Sequence, residues 1–133
     1  MKKSIFILII FIILILLDAF TDALFYNGYM SNSKIIENIY KVGLFTVPIL
    51  YIKGFNWKDI LYLGLLYWFL HIALFDTAFN LMAGFYASYV GTTSGYYDVL
   101  MHKLSTWQFY VLKVWFLTLA GIIFIKKVRD EKS

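Results

Sequence analysis

The chain has 133 residues, of which 62% are hydrophobic, 21% aromatic and only 15% charged, with a formal net charge of +4. Soluble domains carry about a quarter charged residues, and so short a chain cannot bury this much apolar surface in a soluble core. The composition therefore excludes an ordinary soluble domain and indicates an integral membrane protein. The absence of cysteine excludes disulfides, thiolate metal sites and cysteine nucleophiles. The sequence also lacks nucleic-acid-binding motifs, so no nucleic-acid partner is expected.

Hydrophobic stretches follow one another along the chain, and the sequence predicts a single transmembrane domain over residues 1–133. The first stretch, residues 4–25, opens with the unbroken apolar run IFILIIFIILILL. It is long enough to span a bilayer, because a ~30 Å hydrocarbon core takes ~20 helical residues. The second stretch, residues 35–52, has a shorter apolar part, VGLFTVPILYI, so a span must include the polar turns before it.

The third stretch covers residues 60–85 and continues towards Val90, which is longer than a bilayer requires, so we expect its helix to tilt, to project beyond the bilayer or to break near Gly84. The segment GTTSGYYDVLMHKL that follows is typical of a turn and a short amphipathic helix. The last stretch, residues 107–125, follows the capping-box pattern Ser105-Thr106-Trp107-Gln108 and ends in the charged tail KKVRDEKS. The expected fold is an all-α polytopic membrane protein: an up-down bundle of four transmembrane helices plus a short outer amphipathic helix.

Basic residues predict the orientation of the chain. Eight of the twelve lysines and arginines lie at the N-terminus, between the second and third stretches, or in the tail: Lys2, Lys3, Lys53, Lys58, Lys126, Lys127, Arg129 and Lys132. The positive-inside rule then places both termini in the cytoplasm, in a multi-pass protein of the cytoplasmic (inner) membrane. An alternative is that the first stretch is a cleaved secretory signal peptide. Asp18 at the end of the run, and the return of the apolar pattern after it, favour a retained span.

Ionisable side chains occur within or beside these stretches, where a charge is costly and indicates a functional site. They are Asp18, Asp22, Glu37, Lys41, His71, Asp76 and Lys113. Counted at ~1.5 Å per residue from the predicted cytoplasmic edge, Asp18, Asp76 and Lys113 all lie ~21–24 Å deep. The sequence therefore predicts a polar, acidic pocket in the outer half of the bilayer.

Helical spacing selects the predicted ligands of this pocket. Asp18 and Asp22 are four residues apart and share one face of the first helix, and Asp76 and Asn80 do the same on the third. The predicted ligand- or ion-binding residues are these four, with Lys113 as the counter-charge. An alternative is that Asp76 and Lys113 form a purely structural ion pair inside the membrane.

A divalent metal ion is the candidate cofactor, because carboxylates together with imidazoles suit such an ion. The candidate ligands are His71 and the pair Asp98 and His102, which are four residues apart in the outer segment. His71 fits least well with Asp76, since five residues correspond to a rotation of ~140° in a straight helix. His71 needs a helix distortion to join Asp76, or it makes a different contact.

Three functions remain open. The first is binding and transport of a cation or small polar solute through the acidic pocket. The second is a metal-dependent membrane hydrolase or lipid-modifying enzyme that uses the acids with His71 or His102. The third is a holin-like or accessory subunit whose charges only fix helix packing. Small residues such as Ala73 and Thr77 predict a close helix neighbour for the third helix. The expected partners are membrane lipids and further copies of the chain, because a thin four-helix bundle around a polar site gains cover by dimerising.

Overall fold

The computed structural model describes residues 2–51, 57–87, 99, 101 and 103–130. They form four long helices: α1 (Lys2–Tyr26), α2 (Met30–Tyr51), α3 (Trp57–Ala83) and α4 (Thr106–Asp130). Within the described ranges the regular structure is helical, which confirms the predicted all-α class. The predicted outer amphipathic helix falls for the most part outside the described residues.

Three of the helices, α1 from Ser4 onwards, α3 and α4, are long and apolar enough to cross a membrane. Large apolar side chains such as Phe6, Trp68 and Trp115 are exposed on their outer faces, as a lipid-facing surface requires. α2 differs because it carries Lys34, Glu37 and Lys41 along its length. The three apolar helices suggest a membrane protein, whereas the predicted fourth span is not confirmed.

The two central helices are α1 and α3, which pack against each other along their length. They run parallel, since Phe11 contacts Tyr67 and Tyr26 contacts Phe79 through edge-on ring pairs. α2 packs on α1, and α4 packs on α3, while α1 and α4 meet at few points. The helices therefore pack mainly in three pairs, α1 with α2, α1 with α3, and α3 with α4, and the first and last helices scarcely touch. Each of these interfaces contains its own contacts between side chains.

The core explains why α1 takes this central position. Buried apolar residues cover two sides of α1, and they include Phe11, Leu14 and Ile15, which pack with Leu66 of α3 and its neighbours. On the α2 side, Gly43 lets the helices approach closely. A Cβ placed there would lie 2.6 Å from the Leu14 side chain. A helix that is apolar on every face is suited to the middle of such an assembly.

Glycines in the left-handed conformation end α1 and α3, at Gly28 (φ 87°) and Gly84 (φ 86°). At the end of α3, the Gly84 amide donates to the Leu81 carbonyl (3.4 Å), and the Phe85 amide donates to the Asn80 carbonyl (2.7 Å). This is the Schellman arrangement that closes a helix C-terminus. α3 thus ends at Ala83, next to Gly84, which agrees with the break that was one of the alternatives predicted for the third stretch.

Gly84→Ala is expected to lower the free energy of unfolding by about 1 kcal/mol, because a side chain disfavours the left-handed conformation. Thermal unfolding in detergent measures the change. Gly121→Ala is the matched control: Gly121 lies within helical α4, and a Cβ there meets nothing within 4 Å. Alanine is the better helix former, so this control should be neutral or stabilising. Equal losses in the two variants would contradict the role of the positive φ.

Candidate functional site

A histidine and a carboxylate meet in the apolar interface between α1 and α3. His71 Nε2 lies 3.1 Å from Asp18 Oδ2, and the two side chains are 29% and 20% exposed. The His71 ring stacks on Phe75 with a centroid distance of 4.6 Å, and it lies 5.7 Å from the Tyr67 ring. These residues are four apart along α3, so they share the face that packs on α1.

Two tyrosine hydroxyls extend this contact to α2. The Tyr40 hydroxyl of α2 lies 2.7 Å from the Tyr67 hydroxyl of α3, and Tyr40 also interacts with Asp18. We call Asp18, Tyr40, Tyr67 and His71 the Asp18 site. It joins polar groups from three helices. The tyrosines were not among the predicted ligands, although the position of Tyr67 one turn before His71 was a usable signal.

Further carboxylates surround the Asp18 site on the side where α1 ends. Asp22, one turn after Asp18, is exposed and interacts electrostatically with Asp18, His71 and Glu37 of α2. Glu37 pairs with Lys41 on the exposed face of α2. In this described region three carboxylates therefore face one lysine, which gives it an excess of negative charge when His71 is neutral.

A second polar contact lies on the other side of α3, against α4. The Lys113 ammonium of α4 donates to the Asp76 carboxylate and, at 2.5 Å, to the Ile72 carbonyl oxygen. It also lies 5.0 Å from the centroid of the Phe109 ring. The Lys113 residue is 6% exposed. The structure thus brings together Asp76 and the counter-charge predicted for it, in an ion pair whose lysine is buried and whose carboxylate is 25% exposed.

The predicted ligands therefore occupy separate places. Asp18 and Asp22 lie beside His71, whereas Asp76 faces α4, as the ~140° rotation between His71 and Asp76 leads one to expect. Asn80 is buried, and its amide donates to the Ala87 carbonyl (3.0 Å), which ties down the segment after α3. The contacts of His71 and Asp76 are only about 7 Å apart along the axis of α3. They lie on different sides of this helix, one towards α1 and the other towards α4.

The predicted metal ligands are only partly within the described residues. His71 contacts Asp18, while Asp98 and His102 lie outside those ranges, so metal binding there stays a prediction. Among the residues that the structure describes, no group of three or more His, Cys, Asp or Glu side chains is arranged to hold a metal ion.

An apolar groove adjoins the Asp18 site on the side where α3 begins. The cavity has a volume of about 220 Å³. Its lining comes from α1, α2 and α3, namely Phe11, Leu44, Ile60, Leu63, Gly64 and Tyr67. A Cβ added at Gly64 would meet nothing within 4 Å. Tyr67 belongs both to the Asp18 site and to the lining of the groove, so this residue connects the polar site with the apolar groove.

Comparisons of the chain with protein-family models, curated proteins and solved structures gave no match. Function must therefore be argued from the geometry and chemistry of the site itself.

Proposed function

We propose that the chain is a multi-pass protein of the cytoplasmic membrane that binds a small cation at the Asp18 site and moves it. The observation that carries this proposal is the contact of Asp18 with His71 between two apolar helices. Ionisable groups are rare within spans, and they mark ion pathways and proton relays. Membrane lipids are the surrounding partner, and a second copy would give further cover to an open arrangement of helices.

Four spans with both termini in the cytoplasm are the topology that we propose, with α2 as the fourth. At ~1.5 Å per residue α2 is ~33 Å long, enough to cross the hydrocarbon core. The start of α3 and the end of α4 lie at one end of the molecule, where Lys127 pairs with Asp59 (2.6 Å). The N-terminus of α1 lies at this same end, because α1 and α3 are parallel. The basic residues thus gather at one end, which supports the positive-inside orientation.

Of the predicted ligands, Asp18 is a better cation ligand than Asp76. The Asp76 carboxylate is already neutralised by Lys113. The partner of Asp18 is a histidine and not a lysine or arginine, and Asp22 and Glu37 add negative charge nearby. Clefts with charge of one sign concentrate ions of the other sign. The Asp18 site therefore attracts a cation, and the Asp76 pair holds α3 to α4.

The second candidate function is an accessory subunit whose charges only fix helix packing. The buried pair of Asp76 and Lys113 favours it, because a lysine that is bonded to both a carboxylate and a carbonyl has a structural role. The hydrolase alternative relies on Asp98 and His102 and stays a prediction. Cation flux separates the first two candidates, since an accessory subunit would show none on its own.

The test is flux through liposomes that contain the purified protein, measured separately for protons, sodium and potassium. We expect flux of at least one of these cations above that of protein-free liposomes. The protein is first shown to be folded by size-exclusion chromatography and circular dichroism. Folded protein without flux of any of the three cations would overturn the proposal.

Asp22→Asn is expected to raise the cation concentration needed for half-maximal flux about threefold, with little change in the maximal rate. Asp22 is exposed and acts on the site through its charge, which raises the local concentration of cations. Asp59→Asn, at the other end of the molecule, removes the same charge and should leave flux unchanged. Equal effects of the two substitutions would contradict a local role of Asp22.

A further inference from the structure

We infer that the transported cation is the proton. In this inference Asp18 and His71 form the proton-binding pair, and the hydroxyls of Tyr40 and Tyr67 pass the proton to the apolar groove. The inference rests on the proposed function, because it specifies which cation the Asp18 site takes.

The ligand chemistry of the Asp18 site suits a proton better than a metal cation. A hard cation takes six or more oxygen ligands, and membrane sites for sodium recruit backbone carbonyls from interrupted helices. α1 and α3 are unbroken through Asp18 and His71. In the described part of the chain, Asp18 is bonded to an imidazole nitrogen and lies close to a phenol. Such groups exchange protons and form no oxygen cage.

The surroundings of His71 suit an imidazolium. Its ring stacks on Phe75 and lies near the Tyr67 ring, both within the ~6 Å over which aromatic faces attract cations. Asp18 accepts a hydrogen bond from the Nε2–H of the protonated ring. A positive charge on the His71 ring is therefore stabilised by the Asp18 carboxylate and by the two aromatic rings, although the surrounding helices are mainly apolar.

The groups that face His71 come from each element packed on this side of α3. α1 supplies Asp18 and Asp22, α3 itself supplies Tyr67, and α2 supplies Tyr40. α2 also carries the exposed ion pair of Glu37 and Lys41, whose carboxylate acts on Asp22. α4 packs on the opposite side of α3, where Lys113 is bonded to Asp76. The carboxylates lie towards the end of α1, and the phenols lie towards the groove. Protons therefore enter from the carboxylate side.

The two phenols form a hydrogen-bonded step beyond Asp18. A hydroxyl both donates and accepts, so each tyrosine can take a proton on its oxygen while it releases its own. The protonated Asp18 carboxyl gives its proton to Tyr40, the Tyr40 hydroxyl proton moves to Tyr67 across 2.7 Å, and the Tyr67 proton passes to water in the groove. Asp18 ends as a carboxylate, both phenols end neutral, and the water becomes hydronium.

The groove has room for the water that this transfer requires. Its volume of about 220 Å³ exceeds several times over the ~10–15 Å³ of accessible space that one water molecule needs. Its lining is apolar apart from Tyr67, and apolar cavities of this kind tend to stay dry. Water in the groove is therefore transient, which keeps the two sides of the membrane from being joined by a permanent water column.

The experiment measures proton uptake with a pH-sensitive dye inside liposomes, and uptake of ²²Na⁺ and ⁸⁶Rb⁺ in parallel. We expect proton flux in the wild type, with sodium and rubidium at the level of protein-free liposomes. Tyr67→Phe should lower proton flux at least tenfold. The matched control is Tyr62→Phe on the α4 side of α3, where the ring lies 5.5 Å from the Lys127 ammonium. It should keep the wild-type flux.

The outcomes separate this inference from the proposed function. Sodium or rubidium flux that is lost in Asp18→Asn, without proton flux, would keep the proposed function and overturn the proton assignment. Absence of all fluxes would overturn both. Proton flux that is equal in wild type and Tyr67→Phe would overturn the relay.

If Tyr67→Phe does not fold, proton flux through the wild type is compared in H₂O and D₂O. Flux that is at least twofold slower in D₂O supports proton hopping, and equal flux in the two solvents overturns it.

Discussion

Lys113→Met is expected to lower the free energy of unfolding by on the order of 3 kcal/mol, the largest loss that we predict for a single substitution in this chain. Methionine keeps the length and the apolar stem of the side chain but removes the ammonium. The Asp76 carboxylate is then left at the α3–α4 interface without its cation, and the Ile72 carbonyl loses its bond to Lys113. The cost comes from the charge left behind, because removing one partner of a buried pair is worse than removing both.

The double variant Asp76→Asn with Lys113→Met should recover at least half of this loss, since neither charge remains. Reversible unfolding in mixed micelles measures the single and double variants as a cycle. Lys41→Met is the matched control: its ion pair with Glu37 is exposed, with side chains 56% and 41% accessible, and exposed pairs contribute about 0.2–1 kcal/mol. A double variant as unstable as Lys113→Met alone would show that the ion pair is not what holds α4 to α3.

Asp18→Asn is expected to lower cation flux on the order of 100-fold, the size of effect seen when a positioned proton-transfer group is removed. Asparagine keeps the shape of the side chain and can still bond His71, so the α1–α3 interface is preserved. What is lost is a group that carries a negative charge and takes up a proton. The measurement is flux in liposomes that contain equal amounts of folded protein.

Asp18→Glu serves as the control for this second prediction. It retains the carboxylate, displaced by one methylene group, and should keep at least a tenth of the wild-type flux. If Asp18→Asn and Asp18→Glu lost flux to the same extent, geometry rather than ionisation would be the property that matters. That result would contradict the role assigned to the carboxylate.

Local signals in the sequence predicted the helices well. The run of apolar residues and Gly84 predicted the extent of α1 and the end of α3, because hydrophobicity and helix caps act over a few residues. Ser105 caps α4 as predicted, with its amide donating to Gln108 Oε1 at 2.9 Å. α2 begins at Met30 rather than near residue 35, and α4 continues to Asp130 rather than 125. Polar residues extend these helices because no glycine or proline stops them.

The neighbours of each helix could not be predicted from the same signals. α1 and much of α3 and α4 are apolar on several faces, so hydrophobic periodicity does not say which face meets which helix. Depth alone therefore grouped Asp18 with Asp76. The five-residue spacing between His71 and Asp76 indicated that the two side chains leave α3 on different sides. In the structure, α1 packs on one of these sides and α4 on the other. Tyr40 was not assigned to the site because it falls in the outer turns of the predicted stretch 35–52, where tyrosine is typical of the membrane interface, whereas α2 begins at Met30 and places Tyr40 in its middle.

The central claim is that Asp18, and not Asp76, handles the cation. Side-by-side flux of Asp18→Asn and of the double variant Asp76→Asn with Lys113→Met tests it most directly, because both variants remove carboxylate charge from the same depth while avoiding an unpaired lysine. We predict that flux falls on the order of 100-fold in Asp18→Asn and stays within about threefold of the wild type in the double variant. Retained flux in Asp18→Asn together with lost flux in the folded double variant would contradict the account.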